Sequence, residues 1–308
     1  MDLKYLINRF KNSLKNDALG ETIKKVFNYF FFSSKIDLDE FEIDTNESLD
    51  NIFIKFGTDK GSRDGKKTYD FLYKNLKNSR FKNYLDWIKR GNEDTFEYQL
   101  GLNSAPIYDR IFSKRKYDKI KILELGVANG HSVASWHHYF PNGQIFGIDK
   151  KKDSSFFYKS RRIKYLNLDI FNKKKIKRFI KKFGPFDYII DDSLHEEHAM
   201  LINIKNFFPS LNSNGVYFLE DFKAIDIPRE KVRQYQINNN AKYFSASQYT
   251  IKEIFHFFKE KKYFKNPFIN KESQKYIFEN SSQIEITNSE KDIPAGHPLA
   301  SIAIIYKK

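Results

Sequence analysis

Apolar and polar positions change rhythm twice along this chain. Between Lys119 and Asp221, short and largely apolar runs alternate with stretches of helical spacing. Before that block lie a basic helix-like segment and an aromatic-rich region, and after it the pattern weakens. The runs at 120–125, 144–148, 163–167, 187–191 and 215–220 predict strands, mostly of the kind buried on both faces. Helices are predicted after the first four, over Ser132–Tyr139, Ser154–Ser160, Lys173–Lys182 and Glu196–Phe208. Such alternation predicts βαβ units, and so an α/β fold: a Rossmann-like, doubly wound, mostly parallel sheet. Helical spacing returns at Thr250–Lys261, and the runs Gln283–Thr287 and Leu299–Tyr306 are expected to close the sheet as an antiparallel C-terminal pair.

The N-terminal part reads as a helical extension. Leu3, Leu6, Ile7, Phe10 and Leu14 recur at helical spacing among lysines, within a segment that runs to Phe32. A basic amphipathic helix of this kind suits peripheral contact with an anionic bilayer; packing on its own domain or on a second subunit, as a homo-oligomer, is the preferred reading. Residues 33–50 read as a polar connector, and Ile52–Gly61 as a glycine-bounded turn motif. Residues 66–118 read as mostly helical, with a loop or lid at Arg90–Asp94. The expected division is a helical segment and connector at 1–50, a helical cap or substrate region at 51–118, and the core at 119–308.

Composition changes this picture in three places. At 308 residues and 40% hydrophobic content, the chain can bury a sizeable core. It has no cysteine, which removes disulfides, thiolate zinc sites and cysteine nucleophiles, and fits the reducing cytoplasm expected for it. The net charge of +15 raises nucleic acid or anionic membrane as partners. Much of that excess, however, sits in helix-like stretches such as Lys173–Arg178, where a solvated face is the simpler account, and the lysine, asparagine and isoleucine enrichment fits an AT-rich coding bias. No glycine-aromatic RNA-binding signature accompanies it, so no specific nucleic acid is expected. No run reaches the length of a membrane span, and no signal-peptide core is recognisable.

The chemistry gathers at predicted strand ends, where open α/β sheets bind their ligands. Glu124-Leu-Gly126-Val-Ala-Asn-Gly130 closes the first strand in a glycine turn before a helix, without matching the dinucleotide Gly-x-Gly-x-x-Gly pattern. The second strand ends at Asp149, suited to ribose hydroxyls, and the third at Asp169, near where an adenine would lie. Either aspartate alone is as readily a turn former or helix cap. The fourth strand ends in Ile190-Asp191-Asp192-Ser193-Leu194-His195, and the fifth in Glu220-Asp221. Asp192, Glu220 and Asp221 form an oxygen-rich, sulfur-free set suited to a hard cation such as Mg²⁺. Without a cation, three converging carboxylates repel one another; Asp221 facing solvent is the plainer alternative. His195, three residues past Asp192, is placed to act as a general base on a hydroxyl held at the metal. His198 reads as the exposed face of the helix that follows.

These motifs resemble those of class I S-adenosylmethionine-dependent methyltransferases. Within that class, Ile190–His195, Gly215–Asp221 and the upstream Phe56-Gly-Thr-Asp-Lys-Gly61 resemble the metal-dependent sugar O-methyltransferases that tailor macrolides and bacterial surface polysaccharides. The resemblance implies S-adenosylmethionine contacts at Glu124, Gly126, Gly130, Asp149 and Asp169. It also implies Mg²⁺ ligation by Asp192, Glu220 and Asp221, with His195 as base and a glycan or other small molecule as acceptor. The 62–104 connection is longer than the family's, and Leu194 stands where small or polar residues are common. A catechol-like acceptor is the alternative within enzymes. A basic surface-binding protein with an inactive site is the alternative outside them.

Overall fold

The computed structural model describes residues 35–41, 44–62, 64–75, 102–150, 157–221, 249, 251–288 and 301–308. The expected helix of Met1–Phe32 and the loop or lid at Arg90–Asp94 lie outside them. In chain order the strands are β1 (Ile36–Asp37), β2 (Lys121–Leu125), β3 (Gln144–Asp149), β4 (Tyr158–Lys159), β5 (Ile163–Asn167), β6 (Phe186–Asp191), β7 (Leu211–Glu220), β8 (Ser281–Asn288) and β9 (Ser301–Lys307). Seven of them form one sheet, ordered β5-β3-β2-β6-β7-β9-β8. From β5 to β7 it is parallel, while β9 and β8 run antiparallel as expected. Strands β3 and β5 lie on one side of β2, and β6 and β7 on the other. The strand order therefore reverses beside β2, where a doubly wound sheet opens a crevice beyond its strand ends.

The helices are α1 (Leu49–Phe56), α2 (Gly65–Asn75), α3 (Ala105–Phe112), α4 (His131–Tyr139), α5 (Lys173–Phe183), α6 (Glu197–Phe207), α7 (Ile251–Glu260) and α8 (Lys271–Asn280). Alternation along the strands divides the core between two faces. Ile122, Ile145, Tyr188, Ile190, Val216 and Phe218 pack with residues of α1–α4. Leu123, Leu125, Phe146, Ile189, Tyr217 and Leu219 pack with residues of α5–α8. In α5, Ile176 and Phe179 are buried while Lys173, Lys174, Lys175, Lys177, Arg178, Lys181 and Lys182 are exposed, which is the solvated face the sequence suggests.

Four expectations are corrected. Ile52–Gly61 is helix before it is turn: Leu49, Ile52, Phe53 and Phe56 make one buried stripe, Ser48 caps its start, and Gly57 ends it in the left-handed region at φ +70°. The helix expected over Ser154–Ser160 is not formed at its described end, where Tyr158–Lys159 pairs in parallel with Ile36–Asp37. Tertiary pairing has overridden the local pattern there, with Tyr158 buried and the Phe157 amide bonded to the Asn129 carbonyl at 2.9 Å. The connector is likewise docked, because Ile36 and Leu38 are buried. Helix α8, absent from the expectation, starts at an Asn270 cap and buries Gln274, Ile277 and Phe278.

Candidate active site

A cavity of about 640 Å³ opens beyond the carboxyl ends of β2, β3, β5 and β6. Gly126, Asp149 and Asp169 line one side, Asp192 and His195 another, and Gly57–Lys60 a third. The predicted cofactor turn and part of the predicted acidic centre therefore share one space.

The turn after β2 is held from two directions. Gly126 has φ +83°, and a Cβ there would overlap the carbonyl of Asp192. Gly130, the N-cap of α4, has φ +92°, and a Cβ there would come within 2.7 Å of the Tyr165 hydroxyl. Asp149 Oδ2 accepts the amides of Val127 and Ala128, both at 2.9 Å, so this carboxylate fixes the turn from the neighbouring strand end. Asp169 Oδ1 accepts the Phe171 amide at 3.0 Å, a turn-forming bond made while the residue lines the cavity. Glu124 and Gly130 do not line it. Glu124 is fully buried beneath the turn, accepting Ser132 Oγ at 2.5 Å and Trp136 Nε1 at 3.2 Å. Burial pushes its carboxyl up to about 7, against the opposing pull of Lys60 and of these donors.

The acidic residues converge because β6 and β7 are parallel neighbours in register. Asp191 pairs with Leu219, so Asp192 and Glu220 end their strands side by side. Asp191 itself faces away, accepting Ser193 Oγ, Tyr217 Oη and Asn203 Nδ2 at 2.7, 2.7 and 3.0 Å. Asp221 follows at φ +52° and is buried, contrary to the solvent-facing alternative. His195 Nε2 lies 3.8 Å from Asp192 Oδ1 and 3.7 Å from Asp221 Oδ2. Those distances are too long for hydrogen bonds, so the three groups face one another across a gap. One donor atom from each of Asp192, His195 and Asp221 lies within 4.8 Å of the others. His198 is buried rather than exposed, stacked on Phe171.

Glu220 belongs to a deeper layer. Lys60 Nζ donates to Glu220 Oε2 at 2.5 Å and to Asp192 Oδ2 at 2.6 Å, and the Tyr108 hydroxyl donates to Glu220 Oε1. The sequence marks the segment containing Lys60 but not this role. A lysine between Asp59 and Gly61 in a glycine-bounded turn was the available signal; that it spans 132 residues to Asp192 is a tertiary fact. Burial opposes the Lys60 charge, yet Asp192 and Glu220 outweigh it and hold the ammonium well above its ordinary range.

The donor set fits a hard divalent cation. Asp192, Glu220 and Asp221 carry three formal negative charges and Lys60 one positive charge, leaving two for an ion to balance. Without one, burial and the neighbouring Asp192 push Asp221 up to about 8. That upward shift is the mark of like charges brought together in a buried place, and a bound cation is what would relieve it.

No family model matches the chain. Its sequence is similar to curated methyltransferases over part of its length. It is 31% identical over 124 residues to mycinamicin VI 2''-O-methyltransferase of Micromonospora griseorubida, covering 38% of this chain and 31% of that one. It is 30% identical over 128 residues to 8-demethyl-8-(2-methoxy-alpha-L-rhamnosyl)-tetracenomycin-C 3'-O-methyltransferase of Streptomyces olivaceus, with the same shares covered. The chain thus matches about a third of the length of these relatives. Among solved structures it is similar to the MycE methyltransferase of the mycinamycin biosynthetic pathway in complex with Mg and SAH. That match has a TM-score of 0.49 at 20% identity and covers 74% of this chain and 61% of the other.

Proposed function

We propose that this chain is an S-adenosylmethionine-dependent O-methyltransferase that works with Mg²⁺ on a sugar hydroxyl. The observation that carries the proposal is the shared cavity, with a glycine turn and two strand-end aspartates on one side and Asp192 with His195 on the other. Similarity to relatives named as O-methyltransferases, one of them for a rhamnosyl substrate, supports methyl transfer to a sugar hydroxyl. A capsule, lipopolysaccharide or other glycan precursor is the acceptor we assign, in the cytoplasm. Among the described residues, no helix is long and apolar enough to cross a membrane.

In this reading Gly126 and Gly130 shape the cofactor turn, Asp149 and Asp169 border the nucleoside, and Glu124 supports α4 from below. Asp192 and Asp221 hold the metal, with Glu220 behind them. The cofactor would supply an activated methyl group, and the ion the Lewis acidity that lowers the acceptor hydroxyl's pKa. His195, half-buried at the cavity wall, takes the acceptor's proton at Nε2. Leu168, Ile170 and Phe171 offer apolar surface that excludes water from the donor side. Since the methyl arrives activated, holding donor and acceptor in line is the protein's main contribution.

The test is calorimetric titration of the protein with S-adenosylmethionine, with Mg²⁺ or with EDTA. Cofactor binding together with a Mg²⁺ heat that disappears in Asp192→Ala is the expected result. Absence of cofactor binding under every condition would overturn the proposal and favour a basic surface-binding protein, recognised by steep salt dependence on nucleic acid or anionic vesicles.

A further inference from the structure

Lys60 is only 1% exposed, yet it carries an ammonium group between two carboxylates. A buried charge is strongly disfavoured unless it is paired and hydrogen-bonded, so this position is specified rather than incidental. Its backbone is clamped as well. The Leu102 amide bonds the Asp59 carbonyl at 2.6 Å, the Ser104 amide bonds the Lys60 carbonyl at 2.7 Å, and the Asn103 amide bonds the Gly61 carbonyl at 3.3 Å. On the other side, a Cβ at Gly61 would come within 2.7 Å of the Phe53 Cβ, so α1 sets the depth of the turn. The Ser62 amide is fixed to Asp50 Oδ1 at 2.7 Å. The ammonium is thus delivered from a rigid loop to the ends of β6 and β7.

We propose that Lys60 is a built-in cation of the acidic centre, a positioning residue that cancels one of its three carboxylate charges, holds Glu220 in the layer behind the site and leaves Asp192 Oδ1 turned towards a divalent ion. The inference rests on the metal-dependent reading above. Lys60 takes Asp192 Oδ2, which leaves Asp192 Oδ1 as the oxygen nearer His195. It takes Glu220 Oε2 while Tyr108 takes Oε1, so Glu220 is oriented at both ends. The two remaining negative charges match one divalent ion. Removing the lysine leaves three, which favours a trivalent ion. A lysine that only filled space or joined the loop to the sheet would not alter this preference.

The experiment compares Mn²⁺ and Tb³⁺ binding to the full chain, by calorimetry and Tb³⁺ luminescence, without substrate. In Lys60→Met the affinity for Tb³⁺ relative to Mn²⁺ should rise at least about tenfold, since an extra charge a few ångströms away acts more strongly on the trivalent ion. Lys60→Arg keeps the charge and should keep the wild-type ratio. The double variant Lys60→Met/Glu220→Gln removes the pair as a unit and restores two charges, so its ratio should return towards wild type. The double variant also carries the test if Lys60→Met alone does not fold; rescue of folding by Glu220→Gln would support charge balance. An unchanged ratio in Lys60→Met, or failure of both variants to fold, would overturn the role of Lys60 while wild-type metal binding stood. Absence of Mn²⁺ binding to the wild type, or binding indifferent to Asp192→Asn, would overturn the metal reading itself and this inference with it.

Discussion

Gly126 lies against the backbone of Asp192 so closely that a β-carbon would overlap its carbonyl. The Asp192 amide in turn donates to the Leu125 carbonyl at 2.9 Å. The turn after β2 and the loop after β6 are therefore one joint, and the proposed donor and metal sites share it. Gly126→Ala introduces both this overlap and a side chain at φ +83°. The expected loss is on the order of 2–4 kcal/mol of stability, with cofactor and metal affinity falling together. Thermal unfolding and calorimetry read both; wild-type affinity for each ligand in a folded Gly126→Ala protein would show the joint to be unimportant.

His195 Nε2 stands at nearly equal distance from Asp192 Oδ1 and Asp221 Oδ2, which suits either a base beside the metal or a ligand to it. The two roles separate in His195→Ala. A base should leave Mn²⁺ and S-adenosylmethionine affinity intact while turnover drops by about 10²–10⁴. Loss of Mn²⁺ binding in the same variant would make His195 a ligand and reassign the base.

How much of this was legible in the sequence depended on where each interaction lies. Four of the five parallel strands were readable because burial leaves near-continuous apolar runs, whose ends located Asp149, Asp192 and Glu220. The half-exposed edge strand Ile163–Asn167, which leads to Asp169, was readable from its place in the strand–helix alternation. The Tyr158–Lys159 strand was not, because two residues carry no periodicity and their pairing comes from Ile36–Asp37. Lys60 was marked by its motif only. Nothing local distinguishes a surface lysine from one buried against carboxylates 132 and 160 residues away. Glu124 illustrates the converse: its place at the strand end is visible in sequence, but its engagement by Ser132 and Trp136 instead of the cavity follows from how α4 docks.

Asp149 fixes the turn by accepting two backbone amides on one oxygen. Asp149→Ala leaves the Val127 and Ala128 amides without that acceptor and should weaken S-adenosylmethionine binding by tenfold or more. Asp149→Asn keeps an acceptor oxygen and should fall between it and wild type. Metal affinity should fall less than cofactor affinity in both, because the joint itself, Gly126 against Asp192 and the Asp192 amide on the Leu125 carbonyl, is made without Asp149. Equal cofactor affinity in wild type and Asp149→Ala would remove the residue from the donor site.

Glu124 gives a pH signature independent of any ligand. Burial raises its folded-state pKa from 4.5 to about 7. Between those values the folded protein retains a proton that the unfolded chain has released, so stability should fall as pH rises from about 4.5 to 7 and level off above. The shift corresponds to about 3 kcal/mol at full ionisation. Asp191, pushed up to about 6 by burial despite three side-chain donors, contributes a slope of the same sign. Glu124→Gln cannot titrate, whereas Asp191 is common to both proteins, so the difference between their stability curves isolates Glu124. Denaturant unfolding measured from pH 4.5 to 8 should show Glu124→Gln gaining on wild type by a few kcal/mol across that range. Parallel curves would mean that Glu124 stays ionised in the folded protein, sustained by Lys60 and the Ser132 and Trp136 donors.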